Sequence, residues 1–212
     1  MNELFYNISE KNREKLLTYL EAVTYKYAKN KRILNNLISN NFICIILKGS
    51  IEITRIDVEG NKRLIDSYET NNLFCSLSYS FKNEETEITT KEETKVIIID
   101  FNSIINMNEN KLSIYNTFLK NLTIILSKII VKSNERIEVL SNKSIRDKLL
   151  DYFKIQSKKN NSKVIYLPVS YTELADYLAV NRSALSREIK NLKEDGLIET
   201  RGRRIKLLYY LS

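Results

Sequence analysis

Apolar and polar positions change period several times along the chain, and each change marks a different kind of element. Residues 9–22 place Leu16, Leu17 and Leu20 on one side of a helical repeat, which predicts a short amphipathic helix. From Phe42 the pattern is that of strands. Phe42-Ile43-Cys44-Ile45-Ile46-Leu47 is an apolar, β-branched run; Lys48-Gly49-Ser50 interrupts it, and Ile51, Ile53 and Ile56 continue beyond. Asp57-Val58-Glu59-Gly60-Asn61 has the composition of a hairpin turn, and Arg63–Tyr68 is the returning strand. Thr86–Thr90 and Lys95–Asp100 add more strands. Short strands at close spacing with turn residues between them predict a small antiparallel β-sandwich or barrel. Glu84-Glu85-Thr86-Glu87 and Lys91-Glu92-Glu93 are expected to be solvated turns and edges.

A helical period then returns. Tyr115, Leu119, Leu122, Leu126 and Ile129 succeed one another at +4, +3, +4, +3, the seam of a two-helix coiled coil. Phe118, Ile125 and Val139 lie beside it and widen the apolar face. One face is expected to pack on the β-domain of the same chain and the seam on a second copy. The alternative is a single helix buried in an intrachain bundle. Ser141–Ser144 breaks the pattern, with Ser144 a cap for a helix from Ile145 to about Ser157. Gln156–Lys163, polar and lysine-rich, is expected to be a loop.

Residues 169–192 predict two short helices with a tight turn between them. In the first, about Tyr171 to Leu178, Leu174, Ala175 and Leu178 form one buried stripe, and Thr172 or Ser170 can cap its start. Ala179-Val180-Asn181 has room only for a turn, and Asn181 is a good cap for the next helix. That helix, Arg182 to about Lys193, buries Leu185, Ile189 and Leu192 and leaves Arg182, Ser183, Ser186, Arg187 and Lys190 on the opposite face. Such a pair is either a helix-turn-helix that enters a major groove or an ordinary amphipathic hairpin with a solvated face. The residues beyond Lys193 favour the first. Gly196 can end the helix in a left-handed conformation. Leu197–Thr200 and Arg204–Leu208 then read as two strands around the turn Arg201-Gly202-Arg203, a basic hairpin wing.

Charge is segregated in the same direction. The chain carries 34 Lys+Arg against 26 Asp+Glu, a net of +8. Residues 141–212 hold 15 and 8 of these, a net of +7, which leaves only +1 for residues 1–140. A duplex is dense in phosphates, and basic contacts gain by releasing its counterions, so this asymmetry suits a DNA-binding module. The chain of 212 residues suits two domains. It has no run of 18 apolar residues, and its N-terminus lacks the form of a signal peptide, so a cytoplasmic protein without a membrane partner is expected. Cys44 and Cys75 form no CxxC or zinc pattern. The absence of histidine excludes His-based acid–base chemistry, and the four isolated glycines form no phosphate loop. Composition therefore points away from an enzyme, and no cofactor is predicted.

Four segments together resemble the Crp/Fnr family of transcription regulators. Leu47-Lys48-Gly49-Ser50-Ile51-Glu52-Ile53 is similar to its β-hairpin motif, Leu73-Phe74-Cys75-Ser76-Leu77 to its "FGEL" segment, and Val96–Asp100 to the strand before the dimer helix. Val180-Asn181-Arg182-Ser183-Ala184-Leu185-Ser186-Arg187 resembles the recognition-helix motif "VSRETVSR". The resemblance covers nearly the whole chain. It implies an α+β protein with an N-terminal cyclic-nucleotide-binding-type antiparallel β-roll (1–108), a long dimerisation helix with linker (109–141) and a C-terminal winged helix-turn-helix (142–212). It implies a homodimer on a palindromic double-stranded operator, with RNA polymerase as a further partner. Arg187 would read a guanine and Arg182 a second guanine or a phosphate, while Ser183, in place of the family's usual glutamate, changes one position of the half-site. Ser186 would donate to a base or phosphate. Lys190, Arg201, Arg203 and Arg204 would hold the backbone.

The departures are as informative. Relatives that bind cyclic AMP use a Gly-Glu pair where this chain has Cys75-Ser76, and an Arg-Ser pair where it has the acidic stretch Glu84–Ile88. Ser133-Asn134 falls near the family's base-contacting Thr-Ser pair. Cyclic AMP is therefore disfavoured as effector, and the four cysteines of the iron–sulfur branch are missing. Phe74-Cys75 matches the haem-binding branch, in which the cysteine ligates iron, but that branch's histidine is Leu77 here. Cys75 is thus a haem ligand, a redox thiol or an inert core residue. A second class of function also stays open, a ligand-sensing or scaffold protein whose winged domain makes protein contacts.

Overall fold

The computed structural model describes residues 3–33, 41–56, 59–60, 62–76, 86–106 and 114–209. It divides into two compact units, Met1–Leu126 and Ser127–Ser212.

The first unit begins with a 3-10 turn at Glu3–Phe5 and helix α1, Glu10–Tyr19. The helix is shorter than the apolar pattern predicts because Val23–Tyr27 leaves it to form strand β1. The next strands are β2 (Phe42–Lys48), β3 (Ser50–Ile56), β4 (Lys62–Glu69), β5 (Leu73–Cys75), β6 (Thr86–Thr90) and β7 (Thr94–Asp100). They make two antiparallel sheets, ordered β1-β7-β2-β5 and β4-β3-β6. Of the expected turn between β3 and β4, Asp57, Val58 and Asn61 lie outside the described residues, as do Leu77, Glu84 and Glu85; Gly60 has φ +83°.

Alternation along the strands builds the core. Phe42, Cys44 and Ile46 of β2 cluster with Ile51 and Ile53 of β3, Phe74, Ile88, Val96 and Ile98. The intervening Ile43, Ile45, Ile97 and Ile99 are buried too, so β2 and β7 are covered on both faces. Gly49 is required between β2 and β3. Its φ is +91°, and a Cβ would stand 2.6 Å from both the Glu93 carbonyl oxygen and the Thr94 hydroxyl.

Glu87 corrects the expectation of a solvated edge. It is 4% exposed and forms ion pairs with Lys62 (2.9 Å) and Arg32. Arg32 reaches it because the segment after β1 bridges β6 at Thr89. A buried carboxylate requires such partners, and two half-exposed cations supply them.

Helix α2, Phe101–Ile105, is capped by Asp100. Helix α3 runs from Tyr115 to Ser141, so the division between the units falls within it. Its first turns belong to the first unit. Asn121 donates from Nδ2 to the Leu4 and Tyr6 carbonyls at 3.1 and 2.8 Å, and Phe118 packs on Phe5 with ring centroids 6.4 Å apart.

The second unit continues with α4 (Ile145–Asn160), β8 (Val164–Tyr166), α5 (Tyr171–Tyr177), α6 (Arg182–Glu194), β9 (Ile198–Arg201) and β10 (Arg204–Leu207). Two expectations for Gln156–Tyr166 are corrected. Helix α4 extends to Asn160, because Lys158 and Lys159 suit a helix C-terminus and Ser157 buries its hydroxyl on the Ser162 carbonyl at 2.7 Å. Val164–Tyr166 is a strand rather than a connection, and it completes a sheet ordered β8-β10-β9. One core, including Val139, Leu149, Phe153, Ile165, Leu174, Leu178, Leu185, Leu192 and Ile205, joins all these elements.

Candidate nucleic-acid interface

The helix pair is built by local signals that act in sequence. Ser170 and Glu173 form a reciprocal capping box at the start of α5: Ser170 N–H donates to Glu173 Oε2 at 2.7 Å, and Glu173 N–H to Ser170 Oγ at 3.3 Å. The hydrogen bonds from Ser170, aided by nearby Arg203, hold the Glu173 carboxyl below its ordinary range. Helix α5 ends in a left-handed residue, Ala179 at φ +50°, with Val180 N–H donating to the Ala175 carbonyl and Ala179 N–H to that of Asp176. Lys148 also donates from Nζ to the Leu178 carbonyl at 3.2 Å.

Asn181 then caps α6. Its Oδ1 accepts from Ser183 N–H at 2.9 Å and from Ser183 Oγ at 2.7 Å. Leu185, Ile189 and Leu192 are buried, while Arg182, Ser183, Ser186, Arg187 and Lys190 are exposed on the opposite side. The five residues proposed from the sequence for this face are thus brought together. Lys190 is 3.5 Å from Glu194 in an exposed ion pair, and Ser183 already donates its hydroxyl to Asn181, which leaves that oxygen as an acceptor. Arg146 of α4 fastens α6 from behind through Glu188 (3.4 Å) and Asp195, a tie between residues far apart in sequence that local reading missed.

The wing turns at Arg201-Gly202-Arg203, with Gly202 left-handed at φ +59°. Arg201 and Arg203 are exposed and Arg204 half-buried. Arg204 is the direct register partner of both Arg201 and Tyr166, so these side chains share one face of the sheet. Tyr171 donates its hydroxyl to the Gly202 carbonyl at 2.9 Å, and Leu167 N–H donates to the Arg203 carbonyl at 2.9 Å. Neither link was visible in the sequence.

The expected dimer seam is corrected in phase. Tyr115 is 4% exposed, donating its hydroxyl to the Ile104 carbonyl, and Leu122 is 5% exposed; both are taken up within their own chain, with Phe118 and Ile125. Leu119, Leu126 and Ile129 are half-buried, and Ile124, Ile130, Val131 and Ile137 are exposed. Leu119, Leu126, Ile130 and Ile137 are spaced at +7, +4 and +7, which is again a heptad seam, rotated by about a residue from the predicted one.

The residues considered for an effector fall in different units. Cys75 and Ser76 lie at the end of β5 in the first, both buried, and Ser76 Oγ accepts from Phe42 N–H at 2.7 Å. Ser133 and Asn134 are exposed on the part of α3 that belongs to the second. Cys44 is fully buried, and burial pushes its thiol well above the ordinary range. Among the described residues no group of three or more Cys, Asp or Glu is placed to hold a metal ion, and no helix is long and apolar enough to cross a membrane.

Residues 147–210 match the Crp-like helix-turn-helix domain. Over 158 residues, 72% of this chain, the sequence is 23% identical to the HTH-type transcriptional regulator ycf28 of Porphyra purpurea, and the match spans 65% of that relative's length. Over 69 residues, 32% of each protein, it is 33% identical to the transcriptional regulator flp of Lacticaseibacillus casei. The chain therefore spans less than two thirds of the length of either relative. Among solved structures, CprK in complex with OCPA is similar with a TM-score of 0.69 at 16% identity, over 92% of this chain and 89% of the other. With a Crp-like helix-turn-helix domain at its C-terminal end and the fold of these regulators across its length, the chain is a transcription regulator of the Crp/Fnr type.

Proposed function

We propose that the chain is a homodimer that binds a palindromic operator, with α6 of each protomer in a major groove about one helical turn from the other. The observation that carries this reading is the division of α6 into an apolar buried side and an exposed side of two arginines, two serines and a lysine, with the arginine-tipped wing in the same unit. Arg187 reads a guanine bidentately, Arg182 a second guanine or a phosphate, and Ser183 and Ser186 make single hydrogen bonds. Arg201, Arg203 and Arg204 hold phosphates. Lys190 joins them by exchanging Glu194 for a phosphate, a small loss because an exposed pair of this kind is weak. The exposed row Leu119, Leu126, Ile130 and Ile137 is the dimer seam. Apolar side chains in contiguous register on a helix surface are otherwise costly to leave in water.

The effector is a compound other than cyclic AMP. Ser76 stands where a carboxylate would receive the ribose, and its hydroxyl oxygen is occupied by a backbone N–H. Glu87 supplies negative charge where a cyclic phosphate would need cations, and Arg32 and Lys62 are committed to it. The protein works on DNA in the cytoplasm, contacts RNA polymerase and catalyses no reaction.

Selection from a random duplex pool, followed by binding titrations over a range of salt, tests the reading. The expected result is an enriched palindrome and an affinity that falls steeply and linearly on a log–log plot against salt. An unenriched pool with salt-independent binding would favour a protein partner for the winged unit.

A further inference from the structure

We propose that Tyr171 is a positioning residue for DNA binding: through Gly202 it fixes the wing tip so that Arg203 meets the phosphate backbone already ordered. The inference rests on the reading of α6 and the wing as a DNA interface and adds to it a residue outside the basic set.

Three features converge on the turn. Tyr171 opens α5, its ring packs against the core of the second unit, and its hydroxyl donates to the Gly202 carbonyl at 2.9 Å. Leu167 N–H holds the next carbonyl, that of Arg203, at 2.9 Å. Glu173, fixed by the capping box, is close enough to Arg203 for the guanidinium to help keep its carboxyl ionised. The turn has little else to hold it. A Cβ placed on Gly202 would meet no atom within 4 Å, so the tip projects without packing. Its arginines also repel one another. Burial raises the Tyr171 phenol above its ordinary value, so the hydroxyl remains a donor at neutral pH.

An untethered tip would have to be ordered on binding, which costs affinity. Since Tyr171 acts on backbone and not on a base reader, its loss should weaken all duplexes alike. Since it acts through the wing tip, its effect should disappear when Arg203 has no guanidinium to place.

Tyr171→Phe keeps the ring in the core and removes only the donor. Anisotropy titrations of the full chain, wild type, Tyr171→Phe, Arg203→Ala and the double variant, would use the selected operator and an unrelated duplex at several salt concentrations. Tyr171→Phe should weaken both duplexes by the same factor, about 3- to 10-fold, the scale for ordering one flexible side chain on binding. In the Arg203→Ala background the factor should approach one. Amide exchange at residues 201–204 of the free protein should accelerate. Full additivity with Arg203→Ala, a change in base preference, or unaltered exchange at the tip would each overturn the proposal. If wild type binds neither duplex in a salt-dependent way, the DNA reading itself fails, and this inference with it.

Discussion

Ala179→Gly should stabilise the second unit without touching the interface. Helices α1, α4, α5 and α6 end in the same way. The residue after the helix is left-handed, Glu21, Asn161, Ala179 and Gly196 at φ +52°, +45°, +50° and +70°. In each, the next N–H donates to a carbonyl five residues back: Ala22 to Leu17, Ser162 to Ser157, Val180 to Ala175 and Leu197 to Leu192. Alanine is a poor occupant of that position, because its Cβ crowds the following carbonyl at about 1–2 kcal/mol. Glycine removes this strain but gives the unfolded chain more freedom, which offsets about 0.4–1 kcal/mol. Ala179 is exposed, so no packing is lost. The net gain should be about 0.5–1 kcal/mol, or about 3–6 °C in the melting of a unit of this size. Gly196→Ala is the mirror experiment. A Cβ there would meet nothing within 4 Å, so only backbone strain is added, and a loss of similar size is expected. Calorimetry of both variants, with operator titrations of Ala179→Gly to show unchanged affinity, decides the matter. A neutral or lower midpoint for Ala179→Gly, or a stabilised Gly196→Ala, would refute the strain argument.

Ile130→Glu and Ile137→Glu should each give monomers by sedimentation and lose operator binding, whereas Tyr115→Phe should leave the dimer intact; the reverse pattern would return the seam to its first-predicted phase. Arg187→Ala should cost about 1–3 kcal/mol and relax preference at one base pair, while Arg203→Ala should weaken all duplexes and lower the salt slope by about one. Glu173 has a folded pKa below its ordinary value of 4.5, so its stabilisation is present above that value and is lost as pH falls through the folded pKa. Glu173→Gln, which can keep the capping box, should therefore flatten the acid limb of the second unit's melting curve against pH. Titration calorimetry with cyclic AMP up to millimolar concentration should show no heat and no change in operator affinity; micromolar binding would show that Arg32 and Lys62 are free to leave Glu87.

The helix-turn-helix was legible because its instructions are local. A cap at Ser170, a three-residue turn, a cap at Asn181, a 3.6-residue apolar stripe and Gly196 all fall within one short stretch, and each acts on its neighbours in the chain. The strands from Phe42 to Asp100 were legible for the same reason, since a period of two and β-branched runs are properties of contiguous residues. The segregation of charge and the absence of histidine chemistry are likewise properties of the chain before it folds. Strand β8 escaped because three residues carry too little period to read, and only pairing with β10, some 40 residues on, makes them a strand. The burial of Glu87 depends on Arg32 and Lys62 arriving from other parts of the chain, and the phase of the seam on α3 depends on Phe5 and the Leu4 and Tyr6 carbonyls claiming one side of the helix. The same holds for Tyr171 and Gly202, 31 residues apart. Sequence alone determined which segments form most of the helices and strands and which faces are apolar. Tertiary structure decided which of two apolar faces is filled from within, and which polar groups meet, because both depend on residues that only folding brings together.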